Sequence, residues 1–140
     1  RDVTKFSIDQ MVGNLSRLSV LGIIEKITIF MDVTYVNPEE SSGLLWDYPE
    51  LTEKISILSS NSNGETSQLY NDKKHSFFTY SLLKGLSGNA DDGDNIIDLG
   101  EITEYVYKSV PENIRNQPGS LRQNPKFNGL DLKRILLDLR

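Results

Sequence analysis

The sequence predicts an α/β domain built on a mostly parallel sheet, and three features carry that prediction. Residues 7–21 hold apolar side chains at helical spacing. Residues 23–32, IIEKITIFMD, follow at once as a nearly continuous β-branched and aromatic run that closes on an acidic residue. A second short run, Ile55-Ser56-Ile57-Leu58, lies past a polar stretch. Helix, buried strand, loop and buried strand in that order is the pattern of a parallel sheet, whose covered faces leave no polar alternation along the strands.

In the first helix Ile8, Met11, Val12, Leu15 and Leu18 form one buried face, and Ser7 with Gln10 has the form of a capping box. Residues 23–32 should be a central strand. Residues 37–50 carry two prolines, Ser41-Ser42-Gly43 and the single Trp. They should be a loop leaving the C-terminal end of that strand, the end at which sites of open α/β sheets gather. Residues 59–71 are a polar Ser/Asn/Gly loop, long enough to be a binding loop or simply a mobile one. Phe77, Phe78, Tyr80, Leu82, Leu83 and Leu86 lie on a second helix that Gly85 and Gly88 help to close. A third helix should run from about Leu99 to Val110, capped by Asp98 and Glu101 and stopped by Pro111. Phe78, Leu82 and Tyr105 should pack against the sheet. Residues 111–128 have loop composition, and Leu132, Ile135, Leu136, Leu137 and Leu139 fit a last strand better than a short helix.

The 140 residues suffice for one core. Zero cysteine excludes disulfides, thiolate nucleophiles and Cys-based metal sites, and one histidine excludes multi-His sites. A net charge of −5, with fifteen scattered Lys and Arg, argues against nucleic acid as a partner. No apolar run of about 18 residues exists to span a membrane, so a soluble protein is expected. The polar opening Arg1-Asp2-Val3-Thr4-Lys5 is unlike a secretion signal; either none exists or the chain begins within a longer protein. Location stays open, with the cytoplasm favoured.

Residues 75–106, HSFFTYSLLKGLSGNADDGDNIIDLGEITEYV, resemble a block of the caspase-like domains, especially those of bacterial caspase and metacaspase relatives. That block reads roughly His-Gly-x-Phe-Thr-Tyr-x-Leu-Leu-x-Gly-Leu-x-Gly-x-Ala-Asp, then an acidic turn and Glu-Leu-x-x-Tyr-Val. Glu65-Thr66-Ser67-Gln68 resembles the polar segment beside the substrate cleft, and Gln123-Asn124-Pro125 a Gln-x-Pro segment before the last strand. The resemblance spans nearly the whole chain. It implies a caspase-like three-layer α/β/α fold with its N-terminal strands missing. Residues 1–36 would be the end of a large-subunit-like region, 37–54 a loop and 55–140 a small-subunit-like region.

Members of that family are cysteine endopeptidases, and the resemblance places the nucleophile where Asp32-Val33-Thr34 stands. Active relatives read Asp-Ala-Cys-Phe-Ser-Gly there, whereas here Thr34 takes the cysteine's place and Tyr35-Val36-Asn37 follows. The family's catalytic histidine lies on an earlier strand, several tens of residues upstream, and only 33 residues precede Thr34. A threonine hydroxyl is far less acidic than a thiol, and an internal Thr without a neighbouring base has nothing to take its proton. No catalytic residue is therefore expected, and Thr34 reads as a strand-end residue bonded to the local backbone.

Three functions stay open. One is a degenerate peptidase homologue whose groove, lined by Asp32, Thr34, Ser59, Asn61 and Ser67, binds a peptide or a partner chain, the missing N-terminal part included. Tyr35, Trp46 and Tyr48 on the adjacent loop would add contacts. Another is a fragment of an active caspase-like protease. A calcium-responsive module is the third, with Asp91, Asp92, Asp94, Asp98 and Glu101 as ligands. With Glu101 as the twelfth position of a calcium loop, Asp92, Asp94 and Asp98 fall third, fifth and ninth, but Ala90 stands first unless the loop is shortened to begin at Asp91. An acidic turn capping the next helix accounts for the same residues without an ion. His75 reads as a cap or surface residue, and the oligomeric state is open.

Overall fold

A computed structural model describes residues 8–33, 54–62, 64–119 and 121–140. Ser7, Thr34, Tyr35, Trp46, Tyr48 and the expected loop at 37–50 lie outside the described residues. In chain order the elements are α1 (Ile8–Val20), β1 (Ile27–Met31), β2 (Ile55–Ser59), β3 (Leu69–Tyr70), β4 (His75–Ser76), α2 (Phe77–Lys84), β5 (Ile96–Asp98), α3 (Leu99–Arg115), β6 (Lys126–Asn128) and β7 (Ile135–Asp138).

Strand β1 begins later than its apolar run. The left-handed Gly22 (φ 71°) lets its N–H reach Ser19 O at 3.1 Å and Ile23 N reach Leu18 O at 3.1 Å. These two bonds cap the last carbonyls of α1 in a Schellman motif and draw Ile23 into the helix end, where it is exposed. From Ile27 the chain pairs in parallel with β2, Ile27 opposite Ile55 through Met31 opposite Ser59. Strand β6 pairs antiparallel on the far side of β2, with Leu58 opposite Phe127. The order β1-β2-β6 makes β2, buried along its whole length, the central strand. The half-buried β1 is the outer strand among the described residues, contrary to its expected central place.

Alternation along the strands sends neighbouring side chains to opposite faces. Ile55, Ile57 and Met31 meet Met11 and Leu15 of α1. Leu58, with Phe30 and Phe127, meets Phe77, Phe78 and Leu82 of α2 and Ile102, Val106, Val110 and Ile114 of α3. Helices thus cover both faces of the sheet, and the α/β class holds, but the sheet is mixed and not mostly parallel: among the described residues β1–β2 is a parallel ladder and β2–β6 an antiparallel one. Phe78 and Leu82 are buried as expected, while Tyr105 is half-buried.

Helix α2 passes into a π-helical turn over Gly85–Asn89 that closes at Gly88 (φ 108°). Gly85 has a different use from the expected stop. A Cβ there would lie 2.8 Å from Ile102 Cδ1, so the missing side chain lets α3 pack close. Helix α3 continues through Pro111 to Arg115, with Val110 and Ile114 buried on either side of the proline. The ring costs one hydrogen bond, and the buried stripe Ile102, Val106, Val110, Ile114 carries the helix past it. Strands β3 and β4 form a small hairpin, and β5 pairs with β7 apart from the main sheet. No helix among the described residues is long and apolar enough to cross a membrane.

Candidate functional site

The C-terminal ends of the parallel strands β1 and β2 lie side by side, Met31 opposite Ser59. Asp32 leaves β1 there with its side chain exposed. Its Oδ1 accepts the Ser67 hydroxyl at 2.6 Å, and its Oδ2 accepts the Thr79 hydroxyl at 2.6 Å and that of Ser76. Ser76 is the N-cap of α2, and its Oγ accepts the Thr79 N–H at 2.9 Å. One carboxylate therefore ties the end of β1, the loop after β2 and the first turn of α2 together.

Beside it Ser59, Ser60 and Asn61 are buried. The Ser60 N–H extends the parallel ladder to Met31 O at 2.8 Å. The Ser60 hydroxyl donates to Asn61 Oδ1 at 2.6 Å and accepts the Val33 N–H at 3.2 Å. Ser59 Oγ donates to Lys126 O at 3.2 Å, and Asn61 Nδ2 to Glu65 O at 2.7 Å. Of the candidate groove residues, Asp32 and Ser67 bond each other, Ser59 and Asn61 are buried, and Thr34 lies outside the described residues.

A side-chain clamp joins these residues to the segment before β6. The carboxamide of the buried Gln123 donates to Ser60 O at 2.9 Å and accepts the Gln68 N–H at 2.9 Å. Glu65 accepts the Asn124 N–H at 2.6 Å and Asn124 Nδ2 at 2.5 Å. Gln68 donates to Leu121 O at 2.5 Å and accepts the Leu121 N–H at 2.8 Å. Sequence reasoning missed the roles of Ser60, Gln68, Ser76, Thr79 and Gln123. The segments 65–68 and 123–125 do stand out in the sequence, but their pairing across more than fifty residues is not written in either one.

The acidic loop is a second cluster. Asp91, Asp92, Asp94 and Glu101 each offer a carboxylate oxygen within 4.8 Å of the others. Backbone donors already engage most of this set: Asp91 Oδ1 accepts from Gly93 N (3.1 Å) and Asn95 N (3.0 Å), and Asp94 Oδ1 from Ile96 N (2.8 Å). Glu101 accepts from Asp92 N at 2.9 Å and Asp98 N at 2.8 Å. Asp98, the fifth expected ligand, is not one of this group. It completes the capping box of α3 and meets Lys133 Nζ at 3.0 Å. Burial pushes its pKa up, but the Glu101 N–H and the Lys133 ammonium outweigh burial and hold it below the ordinary aspartate value. His75 lies exposed in β4, one residue ahead of the α2 cap. Desolvation raises the phenol pKa of Tyr107 and outweighs the Phe127 N–H, donated to its oxygen at 2.6 Å, which lowers it.

Comparison with known proteins finds no matching family model, no matching curated protein and no matching solved structure. Chemically, the β1/β2 end offers hydroxyls, one exposed carboxylate and backbone groups. Those groups can hold a polar chain by hydrogen bonds.

Proposed function

We propose that the chain is the C-terminal part of a degenerate caspase-like domain that binds an extended peptide or partner segment at the ends of β1 and β2 without cleaving it. The observation that supports this most is the Asp32 hub, where three hydroxyls from two other segments converge on the residue next but one before Thr34. A mixed sheet with a helix layer on each face is in keeping with a three-layer α/β/α plan. The outer position of β1 among the described residues is in keeping with earlier strands in such a plan. With Thr in place of Cys, the site has no thiolate.

The test is a set of fluorogenic peptides with Arg, Lys or Asp at the cleavage position. They are offered to this chain and to Thr34→Cys joined to any segment encoded ahead of Arg1. Expected is saturable binding without turnover by the chain as it stands, with cleavage confined to the restored version. Turnover by the unaltered chain would overturn the proposal.

The four carboxylate oxygens of the acidic loop favour a second reading, a calcium-responsive module at residues 91–101. An ion held there would raise the melting temperature in calcium over that in chelator. Identical melts would remove it.

A further inference from the structure

Leu121 is the place where the clamp has an unusual form. Both its N–H and its C=O turn to the same partner, and that partner is the Gln68 carboxamide, at 2.8 and 2.5 Å. In an antiparallel ladder a hydrogen-bonded residue exchanges both of its backbone bonds with the single residue opposite. A carboxamide carries the same donor and acceptor side by side. Gln68 therefore stands where the main chain of a neighbouring strand would stand. Leu121 is exposed at 68%, and the bonds to Gln68 are open to solvent.

The position of this edge gives it meaning. Strand β6 starts at Lys126, which pairs with Ser59, the last residue of β2. Residues 121–125 precede β6, so they lie beyond the C-terminal end of β2, the end that also carries Asp32 and Ser67. Their placement does not depend on Gln68 alone, since Glu65 holds Asn124 and Ser60 holds Gln123. Releasing the Gln68 side chain would leave the edge in place with both backbone groups of Leu121 free.

We propose that the Leu121 main chain is a docking edge for an extended peptide, closed in the free protein by the Gln68 carboxamide, which the peptide backbone displaces. The proposal rests on the peptide-binding reading above and names the recognition it uses: main-chain pairing, largely indifferent to side chains. Gln68 acts as a competitor that the peptide must remove.

The experiment titrates the ¹⁵N-labelled chain with acetyl- and amide-blocked peptides of the same Arg, Lys and Asp series, and with copies N-methylated at alternate residues. Wild type and Gln68→Ala are compared. Expected is about tenfold tighter binding by Gln68→Ala, the equivalent of the hydrogen bonds the peptide no longer has to displace. Binding should be lost with the N-methylated copies. In wild type the Gln68 side-chain amide resonances should move to free-amide positions as peptide binds. Should Gln68→Ala fail to fold, that last signal decides alone. Peptide binding that leaves the Gln68 amide unmoved, or that Gln68→Ala does not tighten, would overturn the docking edge and leave the groove standing. No binding by either protein would overturn both.

Discussion

Asp98 Oδ1 accepts the Glu101 N–H at 2.9 Å while Oδ2 meets Lys133 Nζ at 3.0 Å. An asparagine at this position keeps the cap but loses the charge. A carboxyl whose folded pKa lies below its unfolded one contributes stability above the unfolded pKa and loses it as pH falls through the folded value. Asp98→Asn should therefore cost about 0.5 kcal/mol near neutral pH, the modest size set by the exposure of Lys133. The gap to wild type in urea melts should close in acid. Asp98→Ala should cost about 1 kcal/mol more, because the cap goes as well, and that part should persist in acid; a loss that vanished there entirely would mean the cap contributes nothing. At Asp32 the partners are three half-buried hydroxyls that the carboxylate gathers from two other segments. Asp32→Ala should cost about 1–2 kcal/mol and speed amide exchange at Phe77, whose N–H bonds Gln68 O at 3.0 Å. Unchanged exchange there would show that the hub does not hold the loop. Asp32 and Ser67 were legible in the sequence as a resemblance to a cleft; Ser76 and Thr79 were not, because a serine before a helix reads fully as a cap and shows nothing of its second bond.

Element by element, what could be read depended on length. The helices and the strand β2 have enough residues to show a pattern, and each is found within a residue or so of its expected start, although α3 runs on past Pro111 to Arg115. Strands β3, β4, β5 and β6 are two or three residues long, too short for alternation to appear; the longer β2 and β7 hold β6 and β5 in register, while β3 and β4 pair with each other. Pro111 illustrates the reverse error: a local breaker signal is overridden by the buried stripe on both sides of it. The same contrast sets the cost of core substitutions. Leu58, fully buried on the central strand against α2 and α3, should cost about 2–5 kcal/mol on truncation to Ala. Leu137, on β7 and 38% exposed, should cost about 1 kcal/mol or less. Chemical denaturation of the two variants checks the ranking, and equal losses would place the core elsewhere than β2.

Across the whole molecule, the far end of the chain is bound to the first strand through charges that no sequence window contains. Arg134 Nη1 donates to Thr28 Oγ1 of β1 at 2.6 Å, and its Nε lies 3.6 Å from Asp131 Oδ2. Asp131 also pairs with Lys26, just ahead of β1, and that bond together with the two cations lowers the aspartate's pKa. The Arg134 side chain is mostly buried, and its Nε and Nη2 have no hydrogen-bond partner among the described residues. Asp131 is thus the counter-charge of a desolvated guanidinium whose donors are only partly served. Removing one member of such a pair strands the other, whereas replacing the buried cation by an apolar chain of similar length removes the desolvation cost with it. Asp131→Asn should therefore lower the melting temperature more than Arg134→Met does, and Asp131→Asn combined with Arg134→Met should recover most of the loss. Melting curves of the three variants decide it. The opposite order, with Arg134→Met the more damaging, would mean that the bond to Thr28 and not the charge pair fastens residues 131–134 to β1.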